Sequence, residues 1–265
     1  MKTIMITGAT DGLGRGVAFV LAKQGHTLLL HGRNPEKGKA LLDEIKKTCS
    51  NKNLFYYNAD FASLGEIMHL ADKITANHNS LGILINNAGL GIEASRRESR
   101  DGLEMIFQVD YLAAYILTKR LLTLLSSSAP ARIVNVASAG QAPINFSDPL
   151  LEKHWDGVQA YCQAKLAMIM LAFELASDYA VLGVTINALH PATYMPTKIV
   201  KGFFPVMSTL EEGVEAVVSL AIDPAFEGVT GKYFDHTTEA APLAQAYDEK
   251  SRRQLMELSR KLTKV

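Results

Sequence analysis

The sequence predicts an α/β fold, a doubly wound parallel sheet of about seven strands with helices on both faces. Short apolar runs alternate with longer stretches of helical period from the first residues onward. This alternation continues without an internal repeat or a low-complexity linker. Strand, helix and parallel strand in succession form right-handed βαβ units. The length of 265 residues suits a single domain covering 1–265.

Each predicted element has its own signal in the chain. Gly25 ends the first helix, and Pro35 occupies the first turn of the second. The predicted strands are Thr3–Thr7, Thr27–His31, Leu54–Asn58, Gly82–Asn86, Arg132–Ala137, Val184–His190 and Lys232–Phe234. The predicted helices are Leu13–Gln24, Pro35–Cys49, Leu64–Asn77, Gly102–Leu125, Val158–Tyr179, Leu210–Ile222 and a polar C-terminal helix over Leu243–Leu262.

Two segments, about 140–157 and 192–209, interrupt the alternation, and each follows the carboxyl end of a predicted strand. Ligand sites in open α/β sheets are built at those ends. We therefore expect both segments to be substrate loops.

Charge and cysteine content exclude several other classes of protein. Lys and Arg together number 27, as do Asp and Glu, and this balance gives no reason to expect a nucleic-acid partner. The two cysteines, Cys49 and Cys162, form no metal-ligand or disulfide pattern, so no metal site is expected. The chain shows neither a signal peptide nor an apolar run long enough to span a bilayer, and we expect a cytoplasmic protein.

A glycine-rich turn of the form TGxxxGxG lies between the first predicted strand and the first helix. Glycine allows a tight turn and close approach of the backbone, and the helix N-terminus presents free N–H groups to phosphate. In this place the turn predicts a Rossmann-type dinucleotide site more strongly than a purely structural turn. The cofactor-binding residues expected here are Gly8, Thr10, Asp11, Gly12, Leu13 and Gly14.

The end of the second strand indicates which nucleotide is bound. NAD-binding proteins often carry an acidic residue there, which accepts a hydrogen bond from the ribose 2′-hydroxyl. This chain has Arg33 instead, with Lys37 one helical turn later. A guanidinium can hold a 2′-phosphate by charge-assisted hydrogen bonds. We therefore predict NADP(H), although a surface arginine without a ligand is the alternative interpretation.

Three further motifs complete a signature: Asn86-Asn87-Ala88-Gly89, Ser138, and Tyr161 followed four residues later by Lys165. With the glycine turn they resemble the short-chain dehydrogenase/reductase family, in its compact single-domain branch. The sequence is most similar to the retinol-dehydrogenase-like and WW-domain-oxidoreductase-like subset. This resemblance implies strand order 3-2-1-4-5-6-7 and hydride transfer between a nicotinamide and a carbonyl or alcohol.

The chemistry of these residue types agrees with the resemblance. Hydride transfer to a carbonyl requires a proton donor at oxygen, and the reverse reaction requires a base. A free tyrosine has a pKa of about 10. Lys165 lies on the same helix face as Tyr161, where its ammonium should stabilise the phenolate. The resemblance adds that Lys165 binds the nicotinamide ribose and that Ser138 binds the substrate oxygen.

The resemblance also assigns residues along the rest of the cofactor. Asp60, with Phe61 beside it, should contact the adenine, although Asp60 could instead serve a helix N-terminus. Asn86 is expected to join strands rather than touch the cofactor. The remaining implied cofactor-binding residues are Asn87, Ala88, Gly89, Pro191 and Thr193, together with Tyr161 and Lys165.

The chain departs from the family pattern at Asp110, where an asparagine is usual. We place Asp110 in the catalytic set as a member of the proton relay that leads from the lysine. Two interpretations stay open. The relay can use the backbone carbonyl at this position, or the carboxylate can pair with Lys165 and alter the pH optimum. After Pro191 the usual glycine is Ala192, and His190 is expected to be a packing or capping residue.

Aromatic and apolar residues in the two loops predict a lipophilic or aromatic ketone or aldehyde as the substrate. They are Phe146, Trp155, Tyr194, Met195, Phe203, Phe204 and Met207. A protein that binds NADP(H) for regulation or redox sensing, with little turnover, is the alternative function. Apolar stretches at Tyr111–Leu125 and Leu166–Leu175 match the family's subunit interface, and we expect a homo-oligomer.

Overall fold

The computed structural model describes residues 1–197, 199–200 and 204–265. One eight-stranded sheet has the order β3-β2-β1-β4-β5-β6-β7-β8. Every neighbouring pair is parallel except β7 and β8, which are antiparallel. The strands are β1 Thr3–Ile6, β2 Thr27–Gly32, β3 Leu54–Asn58, β4 Ile83–Asn86, β5 Ala131–Val136, β6 Val184–His190, β7 Tyr233–Asp235 and β8 Thr238–Glu239.

The predicted doubly wound α/β fold and the order of its first seven strands are confirmed. The eighth strand was not predicted. It returns from β7 through a tight turn in which His236 has a φ of 56°. Its two residues are too few to produce a period-2 pattern.

Eight α-helices flank the sheet in the described part of the chain. Their ends follow local capping chemistry: Asn34 accepts a hydrogen bond from the Lys37 N–H, and Thr209 forms a capping box with Glu212. The helices are α1 Gly12–Lys23, α2 Pro35–Thr48, α3 Leu64–Asn77, α4 Ala113–Arg120, α5 Leu122–Ser126, α6 Gly157–Val181, α7 Leu210–Ile222 and α8 Glu249–Thr263.

The long helix predicted over Gly102–Leu125 is wrong in its start and in its regularity. Gly102 has a φ of +74°, and helical geometry begins only at Met105 and passes at once into a π-helical turn over Phe107–Leu112. Before this turn, the Glu104 carboxylate accepts the Phe107 N–H at 2.7 Å, which caps the helix start. The helix is interrupted again at Leu121, between α4 and α5. A π-turn inserts one extra residue, which apolar periodicity does not reveal.

The core lies on both faces of the sheet, as period-2 side-chain alternation requires. Met5 and Leu29 point to the face covered by α3, α4 and α6. Their neighbours Ile4 and Leu28 point to the opposite face, which α1, α2 and α7 cover. Both layers bury their strand residues completely, which fixes the register of the central strands and the positions of their carboxyl ends.

The C-terminal helix α8 packs against the π-turn, α4 and α6. Its buried residues repeat every four positions: Ser251, Leu255, Ser259 and Thr263. The hydroxyls of Tyr111 and Ser259 lie 2.6 Å apart, and the Tyr115 hydroxyl donates to the Val265 carbonyl at 2.9 Å. Part of the apolar face that the sequence assigns to a subunit interface is therefore covered within the chain. Homo-oligomerisation itself stays a prediction.

Candidate active site

A cleft of about 1230 Å³ opens at the carboxyl edge of the sheet. It is lined by every predicted site residue except Asp110, which is completely buried behind it. The predicted residues on the cleft are Gly8, Thr10, Asp11, Gly12, Leu13, Gly14, Arg33, Asp60, Phe61, Asn87, Ala88, Gly89, Ser138, Tyr161, Lys165, Pro191 and Thr193.

The glycine turn is held against the end of β4 so closely that side chains would not fit. A Cβ on Gly8, which has a φ of 66°, would lie 2.9 Å from the Ala88 Cα. A Cβ on Gly14 would lie 2.4 Å from both the Gly8 carbonyl oxygen and Asn87 Nδ2. Asn87 Nδ2 also donates to the Thr7 carbonyl at 2.8 Å. The turn therefore presents bare backbone at the start of α1, which fits a dinucleotide pyrophosphate.

His31 supports this turn, a role that sequence reasoning missed. Its Nδ1 accepts the Gly8 N–H at 3.4 Å, and its Nε2 lies 3.0 Å from the Ala59 carbonyl. The ring stacks on Phe61 at a centroid distance of 4.1 Å. Burial lowers the pKa of His31 to about 4, so the ring is neutral and Nε2 carries the proton that Ala59 accepts. A histidine inside an apolar strand gives no sequence signal for such a contact.

The adenine end of the cleft holds one uncommitted guanidinium. Arg33 is exposed at the end of β2 and has no ion pair among the described residues. Asp60 lies on the cleft as predicted, but Arg100 binds its carboxylate at 3.1 Å and also pairs with Glu66 at 2.6 Å. Asp60 does not cap α3, since Ser63 does so.

The predicted catalytic residues Ser138 and Lys165 lie around Tyr161, near the start of α6. The Ser138 hydroxyl, which follows β5, lies beside the Tyr161 ring, and both adjoin Gly140. The Lys165 ammonium lies 5.5 Å from the centre of the Tyr161 ring. Ser138 is itself oriented, because its Oγ accepts the Gly140 N–H at 3.0 Å. The three predicted residues therefore form one cluster.

Asp110 lies on the π-turn, directly behind Lys165. Its Oδ2 is 3.1 Å from the Lys165 Nζ, and its Oδ1 accepts the Leu90 N–H at 2.8 Å. Of the two interpretations left open by the sequence, the geometry shows the side-chain carboxylate paired with the lysine. Asp110 does not reach the cleft, so it acts only through its neighbours.

Burial and charge shift the pKa values of this cluster. Burial raises the pKa of Tyr161, and the Lys165 ammonium and the Ser138 hydroxyl oppose that rise. Burial alone would lower the pKa of Lys165, but the adjacent Asp110 carboxylate reverses the effect and the pKa is raised. Lys165 is therefore charged at neutral pH.

The structure brings only some of the residues predicted for the substrate wall to the cleft. Tyr194, Met195 and Phe204 line the cleft, and Tyr194 and Phe204 stack at 4.5 Å. Phe146 and Trp155 pack against the core instead, and Met207 is exposed outside the cleft. Phe203 lies outside the described residues. Apolar lining residues that the sequence did not indicate are Leu90, Ile92, Val158, Ile199 and Val200.

Two smaller expectations concern residues beside the site. Asn86 joins strands as predicted, with its Nδ2 donating to Asn135 Oδ1 at 2.9 Å. His190 hydrogen-bonds Thr193 across the turn after β6, at 3.0 Å.

Over the described ranges, no three His, Cys, Asp or Glu side chains are grouped to hold a metal ion. Within the same ranges, no helix combines the length and apolarity that a bilayer crossing requires.

The fold, the glycine turn and the Ser–Tyr–Lys cluster define a class, the nicotinamide-dependent oxidoreductases built on a single dinucleotide-binding domain. The family model described as short chain dehydrogenase matches residues 2–205. Human retinol dehydrogenase 13 is 33% identical over 98% of this chain and 84% of its own length. Human polyprenol dehydrogenase is 31% identical over 100% of this chain and 86% of its own.

Solved structures share this fold. A putative uncharacterized protein from Mycobacterium paratuberculosis superposes with a TM-score of 0.79 at 23% identity, covering 100% of this chain and 94% of that one. A putative short chain dehydrogenase from Escherichia coli CFT073, complexed with NADPH, has a TM-score of 0.73 at 25% identity, covering 89% and 96%. The chain belongs to the short-chain dehydrogenase/reductase family, within its retinol-dehydrogenase-like subset.

Proposed function

We propose that this protein is an NADP(H)-dependent oxidoreductase that transfers hydride between the nicotinamide and a lipophilic carbonyl or alcohol. The single observation that carries this proposal is the cluster of Ser138, Tyr161 and Lys165 in the cleft that the glycine turn opens. Each of the three has a geometry suited to proton transfer at a substrate oxygen. A bound nicotinamide would supply or accept the hydride there.

The preference for NADP(H) is supported by charge at the end of β2. Arg33 is free to bind a phosphate, and no carboxylate occupies the place where NAD-binding proteins accept the ribose 2′-hydroxyl. Lys37, in the first turn of α2, also lines the cleft and adds a second positive charge. A 2′-phosphate at this point would gain both contacts, whereas a 2′-hydroxyl would use neither fully.

In the proposed mechanism, Tyr161 exchanges the proton. Its hydroxyl would donate to the substrate oxygen during carbonyl reduction and its phenolate would accept the proton during alcohol oxidation. The Ser138 hydroxyl would hold the same oxygen, and it is oriented for this by the Gly140 N–H. Lys165 uses two of its three donors on Asp110 and on the Val136 carbonyl at 3.4 Å, which leaves one for the nicotinamide ribose.

The apolar cleft wall supports a lipophilic substrate. The cleft lining includes the stacked rings of Tyr194 and Phe204, and its other apolar residues include Leu90, Val158 and Ile199. The names of the relatives point the same way, because retinol and polyprenol are both alcohols with long apolar chains. The partner is thus a small molecule, and cytoplasmic localisation stays a prediction.

The first test is NADPH oxidation followed at 340 nm with a panel of carbonyls that includes retinal, an aromatic ketone and a short hydrophilic aldehyde. Tyr161→Phe should lower kcat by about 10²–10⁴-fold, the usual contribution of a positioned acid or base. Tyr247→Phe is the matched control, because it makes the same chemical change at an exposed position. Its kcat should equal that of the parent.

The outcomes separate the candidate functions. Turnover that favours the apolar carbonyls and disappears in Tyr161→Phe supports the proposal. Tight binding of NADPH without turnover of any carbonyl would contradict it and favour a regulatory or redox-sensing protein. Equal activity with NADH would contradict the role given to Arg33.

A further inference from the structure

We propose that Asp110 is a positioning residue that keeps Tyr161 protonated, so that this site works as a proton donor in carbonyl reduction to higher pH than it would with a neutral residue there. The proposal rests on the function proposed above and deepens it, since it assigns the direction that the site favours near neutral pH. It is carried by the position and the hydrogen bonds of one buried carboxylate.

Burial raises the pKa of Asp110, whereas the Lys165 ammonium and the Leu90 N–H oppose that rise, and these two contacts fit the ionised carboxylate. Oδ2 faces the Lys165 ammonium at 3.1 Å and Oδ1 accepts the Leu90 N–H at 2.8 Å. Each oxygen therefore faces an ammonium or an N–H group, and a proton on either one would point at that group. Gly89 lies against the pair, because a Cβ there would lie 2.8 Å from Asp110 Oδ2 and 3.2 Å from Lys165 Nζ. Both side chains are buried, with exposed fractions of 0% for Asp110 and 6% for Lys165.

The net charge of the buried cluster decides which form of Tyr161 is favoured. With Asp110 ionised and Lys165 charged, the cluster is neutral while Tyr161 keeps its proton and becomes −1 when the phenolate forms. With a neutral residue in place of Asp110, the cluster would be +1 with the phenol and neutral with the phenolate. Because a low-dielectric site disfavours net charge, Asp110 favours the phenol. The Asp110 carboxylate raises the pKa of Tyr161, whereas the Lys165 ammonium lowers it.

The other titratable groups near this cluster do not cancel the effect of Asp110. Cys162 and Tyr233 face Tyr161, and burial raises the pKa of both, so each is neutral at neutral pH. The Glu93 carboxylate raises the pKa of Asp110, but Arg97 donates two hydrogen bonds to that Glu93 carboxylate. Glu104 also faces Asp110, and burial raises its pKa. No described residue supplies a second buried cation to the pair.

The direct test measures the titration of Tyr161 without cofactor or substrate. Tyrosinate absorbance at 295 nm is recorded from pH 8 to 12 for the parent, Asp110→Asn, and each of these combined with Tyr161→Phe, because burial raises the pKa of Tyr161 above its ordinary value. Subtracting the Tyr161→Phe partner isolates one tyrosine in each background. The Tyr161 midpoint should be about one pH unit lower in Asp110→Asn than in the parent, as expected for removal of one nearby buried charge.

Two further variants keep this test decisive. Asp110→Ser retains an acceptor for the Leu90 N–H without the charge, and it should reproduce the shift if Asp110→Asn does not fold. Asp72→Asn is the matched control: it removes a carboxylate that is paired with Arg120 on the surface, 57% exposed, and should leave the midpoint unchanged. A Tyr161 midpoint that is the same in the parent and in Asp110→Asn, or higher in the variant, overturns the proposal.

Kinetics distinguish this electrostatic role from a structural one. Below both midpoints, Asp110→Asn should oxidise an alcohol about tenfold faster than the parent, and its reductase activity should decline at a pH about one unit lower. A purely structural role would lower kcat at every pH without moving the midpoint, and would contradict the proposal. If no carbonyl is turned over, the proposed function fails, while the absorbance titration still decides the role of Asp110.

Discussion

Replacement of Arg33 by alanine should selectively weaken the binding of NADPH. The guanidinium is exposed at the end of β2 and has no ion pair to lose among the described residues, so its removal costs no existing contact. A hydrogen bond to a charged group contributes about 1.5–3 kcal/mol, and exposure places this contact at the lower end of that range. The Kd for NADPH should therefore rise roughly 10- to 30-fold, since 1.4 kcal/mol corresponds to a factor of ten.

The assay is a titration of nucleotide fluorescence with NADPH and with NADH. The Kd for NADH should change by less than about twofold, because the ribose 2′-hydroxyl carries no charge. The NADPH difference should shrink as salt screens the exposed pair. Arg15→Ala is the matched control, since it removes an arginine from α1 that is already paired with Glu44. An equal loss of affinity for NADPH and NADH in Arg33→Ala would refute the reasoning.

Three other perturbations test the fold around the site. Gly14→Ala should abolish NADPH binding in the same fluorescence titration, because the alanine Cβ would lie 2.4 Å from the Gly8 carbonyl oxygen. A nearly unchanged affinity for NADPH would contradict the account of the glycine turn. His31 is neutral when folded and has a pKa of about 4, below its unfolded value of about 6.5. The contribution of His31 to the free energy of unfolding is complete above pH 6.5 and is lost as the pH falls toward 4, with a total of up to about 3 kcal/mol. The free energy of unfolding should therefore fall less steeply between pH 6.5 and 4 in His31→Asn than in the parent. Leu255→Ala should lower the free energy of unfolding in urea by about 2–3 kcal/mol, because Leu255 is completely buried between α8 and the core, whereas the exposed Lys250→Ala should change it little.

The sequence predicted the elements whose ends carry local chemistry. Helix α7 was predicted near Leu210–Ile222, and in the structure it begins where Thr209 and Glu212 form a capping box. Seven strands and their order followed from apolar runs that are buried on both faces, together with the resemblance to the family. The residues of the cleft were also recognised, because backbone restrictions and proton chemistry limit which residue types can occupy them.

Other features depend on contacts between distant residues and leave no local signal. Trp155 could equally line a substrate pocket or pack inside, and the structure places its indole N–H 3.4 Å from Glu104, away from the cleft. The interruptions of the helix after Gly102 depend on how Glu104 caps it and on the π-turn that carries Asp110. Apolar periodicity averages over such changes and predicts one continuous helix.

Helix α8 connects the far end of the chain to the residues that support proton transfer. Ser259 holds the hydroxyl of Tyr111, the immediate neighbour of Asp110, and Arg252 binds Glu174 at 2.9 Å on the helix that carries Tyr161 and Lys165. Helix α8 thus covers, within the same chain, part of the face that the sequence assigns to a subunit interface. A second copy could bind the covered part only by displacing α8. Substitutions on the buried face of α8 are therefore changes to the support of the active site, although they lie far from it in sequence.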